Sequence, residues 1–215
     1  ELNPHAVDDY MSLGYIPGAH TVFASIHRLP PAHVLQWQDG HSRLHQYWTL
    51  EYAVTPPPMR EATERLRALL EDAVRAWMIS DVPVGAFLSG GVDSSTVTAL
   101  MCRVSNTRVK TFSIGFAEPD YDELRYARQI AARYDTDHHE LVVDADQAAL
   151  LPELVWYLDE PFADGSAIPT FLVSRLARAS VKVALSGDGG DELFGGYTWT
   201  TRDQFRRWYG WVPRP

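Results

Sequence analysis

Ala86-Phe87-Leu88-Ser89-Gly90-Gly91-Val92-Asp93-Ser94-Ser95 is where a short apolar run breaks into a glycine-rich bend. The run before it holds Val82, Val84, Ala86, Phe87 and Leu88, and an apolar helix pattern, Thr96-Val97-Thr98-Ala99-Leu100-Met101, follows at once. Strand, Gly-Gly turn and helix start together make a seat for a phosphate. Two glycines let backbone N–H groups close on an anion, and the unpaired amides at the helix start point at it. The hydroxyls of Ser89, Ser94 and Ser95 add donors. The bend carries no lysine, so it departs from the Walker pattern. Its single charge is Asp93. A carboxylate repels phosphate unless a hard cation lies between them, which predicts Mg²⁺ at this point. The competing reading is a serine-rich helix start after an ordinary tight turn.

Outward from the bend, strand-like and helix-like runs alternate. Val109 to Phe116 reads as a strand, followed by a capping-box pattern at Asp120-Tyr121-Asp122-Glu123 and a helical face through Leu124, Ala127, Ile130, Ala131 and Tyr134. His139 to Val143 is a third strand, and Leu150, Leu151, Leu154, Val155 and Leu158 mark an amphipathic helix. Ser166 is placed to cap a helix from Ala167, with Pro169 in its first turn, and Val181 to Leu185 is a fourth strand. Upstream, Leu66, Leu69, Leu70, Ala73, Val74 and Trp77 give a helical stripe that would cover the sheet starting at Val82. The alternation predicts an α/β fold: a parallel sheet with helices on both faces, ligands gathering beyond the carboxyl ends of its strands.

A short β-rich segment precedes this core. His33–Trp37 and Leu44–Trp48 flank Asp39-Gly40, a strong hairpin signal, and Met11 to Gly14 would close a short helix. Thr55-Pro56-Pro57-Pro58 is the expected boundary, giving residues 1–55 and 56–215 as two domains.

The second unusual run is Ser186-Gly187-Asp188-Gly189-Gly190-Asp191-Glu192-Leu193-Phe194-Gly195-Gly196-Tyr197. Five glycines and three acids in twelve residues cannot be core, so it is either a surface turn or a second ligand loop. It follows an apolar strand, as the first loop does. Gly187, Gly189 and Gly190 would allow close backbone approach. Asp191 could join Asp93 around Mg²⁺, which takes one or two protein carboxylates with phosphate oxygens and water.

Composition narrows the function. With 19 basic against 28 acidic residues the formal charge is −9, which disfavours a nucleic-acid partner. No apolar run approaches membrane-spanning length, and the N-terminus lacks a signal peptide's pattern. The single cysteine, Cys102, excludes disulfide and cysteine-based zinc frameworks and reads as a small core residue in a cytoplasmic protein. The missing initiator Met and the ending Tyr209-Gly210-Trp211-Val212-Pro213-Arg214-Pro215 read as an excised part of a longer protein. His138-His139-Glu140 resembles a metal cluster, but neighbours on a strand face opposite ways, so hydrogen-bonded structural roles are expected. Asp159-Glu160, at a helix end, reads as a cap or substrate edge. The aromatic tail of Trp199, Phe205, Trp208, Tyr209 and Trp211 reads as core lacking its partners.

Ser89–Ser95, SGGVDSS, resembles the pyrophosphate loop of the N-type ATP pyrophosphatases, the adenine nucleotide alpha hydrolase-like group that includes asparagine, β-lactam, GMP and NAD synthetases. SGDGGDELFGGY is similar to the SGEG-x-DE-x-FGGY segment of glutamine-dependent asparagine synthetases. Tyr121-Asp122-Glu123, Thr136-Asp137-His138-His139-Glu140, Asp159-Glu160-Pro161 and the Tyr15–Pro17 and Ile26–Pro31 runs also resemble that family in order along the chain. The resemblance implies ATP-dependent adenylation of a carboxylate, aspartate or another, then capture by ammonia from a glutaminase domain. It implies ATP and Mg²⁺ as cofactors and admits a homodimer of the full-length protein. Residues 1–55 would end the glutaminase-type domain. Ser89, Gly90, Gly91, Asp93, Ser94 and Ser95 would hold phosphates, and Phe87, Leu88, Ile114, Ser186 and Gly187 would line the nucleotide. Asp93 and Asp191 would bind the metal, while Asp188, with Asp93, stands nearest the chemistry. Three positions depart from the pattern. Asp188 replaces a longer Glu, Ala32 a usual glycine, and Gly165 an arginine that several asparagine synthetases direct at the aspartate carboxylate. The acid substrate therefore stays open, with a β-lactam or macrolactam synthetase and a non-catalytic nucleotide-binding module as alternatives.

Overall fold

The computed structural model describes residues 1–52, 55–117, 123–144 and 147–198. It divides into two compact units, one formed by Glu1–Ala62 with Asp146–Phe171 and the other by Thr63–Ala145 with Leu172–Pro215.

In the first unit, helix α1 (Pro4–Leu13) starts on Asn3, whose Oδ1 accepts from the amides of His5 and Ala6, and ends at Gly14 with φ +80°. A small core of Ala6, Ile16 and Val22 lies beneath it. Strands β1 (His33–Gln38) and β2 (His41–Gln46) form the expected hairpin around Asp39-Gly40, both with positive φ. The register differs from the expected one. A two-residue turn sets Gln38 opposite His41, so the second strand begins directly after Gly40 instead of at Leu44. The 160–165 stretch docks by Arg28 Nη2, which donates to Glu160 Oε2 at 2.6 Å, and by the Ala163 amide, which donates to the Gly14 carbonyl. Helix α5 (Leu151–Leu158) buries only Leu154, so its apolar stripe is mostly on the surface.

The second unit holds the sheet. Strands β3 (Val84–Phe87), β4 (Lys110–Phe116), β5 (Asp137–Val143) and β6 (Val183–Leu185) lie in the order β5-β4-β3-β6, all parallel. β3 and β6 start later than the sequence predicts: Val82 precedes Pro83 and is exposed, and Val181 packs in the core before its strand begins. Alternation along β3 sends Ala86 to one face and Phe87 to the other. Ala86 packs with Val74 of helix α2 (Met59–Trp77) and with Leu100 and Met101 of helix α3 (Val92–Val104). Phe87, Phe112 and Ile114 meet Val173, Leu176 and Ala177 of helix α6 (Ala167–Arg178) on the opposite face. Helix α4 (Leu124–Tyr134) joins the α2–α3 side, packing Ala127 and Ala131 on Leu88. The α2 stripe is narrower than its spacing suggests: Val74 is buried, whereas Leu69 and Trp77 are exposed. Cys102 is partly buried at the edge of this core, where burial pushes its thiol pKa up. The capping-box residues 120–122 and the aromatic tail from Trp199 lie outside the described residues. Glu123 itself heads α4 without a side-chain cap.

The His138-His139 pair resolves by strand alternation. His138 Nδ1 lies 2.8 Å from Thr111 Oγ1, which also meets Thr136 Oγ1, while His139 stacks on Phe112 across the sheet. His138 Nε2 is 3.1 Å from Glu140 Oε1 without hydrogen-bond alignment. Desolvation outweighs the Glu140 carboxylate and pushes the imidazole pKa down. Among the described residues no group of three or more His, Cys, Asp or Glu side chains converges as a metal cluster. No described helix is long and apolar enough to cross a membrane.

Candidate functional site

Two neighbouring strands end in glycine turns. β3 runs into Ser89–Gly91 and α3, and β6 runs into Ser186–Gly189 and the short helix α7 (Gly190–Phe194). Chain order does not make them neighbours. After β3 the chain steps outward to β4 and β5, then returns to add β6 on the free edge of β3. This reversal is the place where parallel α/β sheets open a crevice beyond their carboxyl ends.

The two turns are in contact. A Cβ on Gly187 would stand 2.8 Å from the Ser94 amide nitrogen and 3.0 Å from Asp93 Cβ. One on Gly190 would stand 2.4 Å from Asp93 Cγ and 2.6 Å from its Oδ2. Gly187 and Gly190 are therefore glycines because Asp93 and the start of α3 fill the space of a side chain. Gly189 meets nothing and serves through its φ of +91°.

The first turn is locked from within. The Ser94 hydroxyl donates to the Gly91 carbonyl, accepts from the Ser89 amide and lies 2.9 Å from Ser89 Oγ. Ser89 Oγ in turn accepts from the Gly91 amide. Ser89 and Ser94 thus shape the loop. Ser95 is different: its Oγ is buried and has no hydrogen-bond partner, as is Thr98 Oγ1 one turn on. A buried hydroxyl left alone costs free energy, and such groups in native folds call for an explanation. Helix α3 begins at Gly91 with no side-chain cap, leaving its first-turn amides unpaired. Gly90, at φ +85°, lies so close to α4 that a Cβ would sit 2.5 Å from the Ala127 nitrogen and from Tyr126 Cβ.

Asp93 has no hydrogen bond or ion pair among the described residues. A free hard-oxygen ligand beside unpaired amides fits an Mg²⁺ ion that takes most of its ligands from phosphate and water. Asp191 lies next to Gly190 in chain, with its Oδ1 turned to Gly196, where a Cβ would stand 1.8 Å away. Asp188 Oδ2 accepts from the Ser186 hydroxyl at 2.8 Å, which folds that carboxylate back on its own turn. Tyr197 donates to Glu192 Oε1 at 2.5 Å, and that bond, before all else, lowers the Glu192 pKa.

Of the remaining expected residues, Phe87 and Ile114 share the α6 side of the sheet near its carboxyl end. Leu88 is core: its side chain is buried, its amide donates to the Phe112 carbonyl, and its carbonyl accepts from the Ser113 hydroxyl. It anchors the turn and presents nothing outward. The docking of α4 residues Tyr126 and Ala127 beside Gly90 is not legible in the sequence, because a helix start far along the chain gives no local sign of where it docks.

The sequence profile of the asparagine synthase family matches residues 65–214. A Methanocaldococcus jannaschii protein provisionally named a glutamine-hydrolysing asparagine synthetase is 40% identical over 200 residues, covering 91% of this chain and 39% of that protein. Asparagine synthetase [glutamine-hydrolyzing] 1 of Bacillus subtilis is 34% identical over 199 residues, covering 92% and 31%. The chain thus spans less than half the length of these relatives. Among solved structures, an NH3-dependent NAD synthetase from Campylobacter jejuni aligns with a TM-score of 0.40 at 17% identity, over 64% of this chain and 60% of that one, a likeness too slight to argue from. With the profile covering most of the sequence and both glycine turns inside it, the chain belongs to the asparagine synthase family.

Proposed function

We propose that this chain is the nucleotide-binding part of an ATP-dependent ligase that activates a carboxylic acid as its adenylate and converts it to an amide. The observation that carries the reading is the meeting of Asp93 and the α3 start with Gly187 and Gly190. The substrate carboxylate attacks the α-phosphorus of ATP, the α–β phosphoanhydride breaks, and pyrophosphate leaves. An amine nitrogen then attacks the acyl carbon, AMP departs with the C–O electron pair, and the amine's proton is released. The unpaired amides of Val92, Asp93 and Ser94 and the lone Ser95 hydroxyl would hold the β- and γ-phosphates. Phe87, Ile114, Ser186 and Gly187 would border the adenosine, and Asp188 would stand beside the acyl-adenylate. Asp93 and Asp191 would hold Mg²⁺, which when bound offsets the charge of the phosphates. We read residues 1–55 as the end of a glutaminase-type domain.

Aspartate is the proposed acid and glutamine-derived ammonia the nucleophile, in line with the names of the relatives. Gly165 favours a second reading, a different acid or an internal amine, since a side chain there would meet open space instead of an arginine's work. The test incubates the intact protein with Mg·ATP, aspartate and either glutamine or ammonium, following pyrophosphate, AMP and asparagine together. Pyrophosphate without asparagine moves the reading to another acid. Nucleotide binding with no pyrophosphate under any acid reduces it to a binding module.

A further inference from the structure

The phosphate seat proposed above has no cation of its own; its one charged side chain, Asp93, is negative. A triphosphate carries several negative charges, so positive charge must come from elsewhere. The contact of Gly90 with Tyr126 and Ala127 shows where to look. It brings the first turn of α4 against the loop, next to the start of α3. Both helix ends lack a side-chain cap and direct the positive end of their dipoles to this corner.

Arg125 stands in that first turn of α4. A cation at a helix N-terminus is on the unfavourable side of the dipole, and apart from Glu123 at the N-cap, which makes no ion pair with it, the first turn holds no acid. Its guanidinium is held by neutral groups alone: Nη2 donates to Tyr126 Oη at 2.6 Å, and Cζ lies 4.5 Å from the centre of the Tyr126 ring. Five other cations of the unit behave differently. Arg75 and Arg103 meet Glu71, Arg108 meets Asp135, Lys110 meets Asp137, and Arg128 grips Glu140 through two nitrogens. Arg125 has no carboxylate partner among the described residues, yet it is parked on the residue whose Cβ abuts Gly90. Unneutralised charge concentrated beside a loop with free amides and an unpartnered buried hydroxyl is an arrangement that a polyanion completes.

We propose that Arg125 is the cation of this site, leaving the Tyr126 ring to meet the terminal phosphates of bound ATP. The inference rests on the nucleotide reading and adds to it the residue that tells a triphosphate from a monophosphate. The ring contact is weak at an exposed position, so the arm swings at little cost. An arginine's planar fork suits phosphate oxygens better than an ammonium does.

The experiment titrates ATP, ADP and AMP, each with Mg²⁺, into the intact protein and into its Arg125→Met and Arg125→Lys variants by calorimetry. Arg125→Met is expected to lose on the order of ten- to a hundredfold in ATP affinity, the scale of one charged hydrogen-bonding pair, with AMP changed by no more than about twofold. Arg125→Lys should recover part of the loss. Equal losses for ATP and AMP, or none for either, overturn the assignment while leaving the nucleotide site standing. Failure of the unmodified protein to bind ATP at all overturns the nucleotide reading and Arg125 with it. A thermal midpoint unchanged in the nucleotide-free Met variant would show that the loss is one of binding.

Discussion

Replacing Gly190 with alanine moves one carboxylate and little else. The new Cβ would lie 2.4 Å from Asp93 Cγ, about 1 Å inside an ordinary contact, so the carboxylate must rotate aside by roughly that distance. Turning it off its rotamer costs about 0.5–1.5 kcal/mol. Against that, alanine in a helix is favoured over glycine by about 1 kcal/mol, and Gly190 is the first residue of α7. The two terms nearly cancel. The thermal midpoint should therefore stay within about 4 °C of the parent, the shift expected for 1 kcal/mol in a chain of this size. Function should not be spared, since a misplacement of about 1 Å at a reacting site can cost on the order of a hundredfold. The concentration of Mg²⁺ that half-saturates ATP binding is expected to rise ten- to a hundredfold, read by calorimetry at fixed ATP. Gly90→Ala is the contrasting case. Its Cβ would strike the α4 backbone at φ +85°, combining left-handed strain of about 1–2 kcal/mol with overpacking of about 1–3 kcal/mol. That variant should lose stability outright. Wild-type Mg²⁺ dependence in a folded Gly190→Ala protein would refute the claim that the contact of the two turns is the nucleotide site.

Two further outcomes follow from buried groups. Ser95→Ala removes a buried hydroxyl without a partner, so the nucleotide-free protein should gain about 1 kcal/mol while the stabilisation conferred by Mg·ATP shrinks; thermal melts with and without nucleotide check both, and an unchanged ligand increment would sink the assignment of Ser95 to the phosphates. His138 titrates below its ordinary value of about 6.5 because it is desolvated in the fold. Its neutral form is the folded form. As pH falls below about 6.5 the unfolded chain takes up the proton first, so stability declines until the depressed folded pKa is passed. Above about 6.5 the group contributes no slope. His138→Asn should flatten this part of the stability–pH curve, measured by urea denaturation at closely spaced pH values, and an identical slope in the variant would refute the role.

Much of the core is legible in the residues. Alternation of Ala86 with Phe87 across the sheet, and of His138 with His139, follows from the period of a strand and needs no partner to be named in advance. Asp39-Gly40 fixes its hairpin because both residues adopt positive φ. What escapes is whatever depends on a neighbour. Leu69 and Trp77 match the helical stripe of α2 as well as Val74 does, yet only Val74 is buried, because burial is set by what lies opposite. The second strand is expected at Leu44–Trp48 and lies at His41–Gln46 for a related reason: apolar residues mark which positions favour a strand, whereas the turn sets where pairing starts. Leu88, read as a nucleotide contact by its place in the motif, spends its side chain and backbone on the core.

From the residues it follows that two glycine turns end apolar strands, that each carries an acid, and that their sheet is parallel. That the turns meet is settled by long-range packing. β6 could have added beyond β5 and left the turns separated by the width of the sheet; instead it pairs with β3, and parallel neighbours bring their carboxyl ends side by side at about 4.8 Å. That choice rests on the crossover and on the packing of α6 against Phe87 and Phe112, contacts between residues far apart in the chain. Local composition carries no record of them.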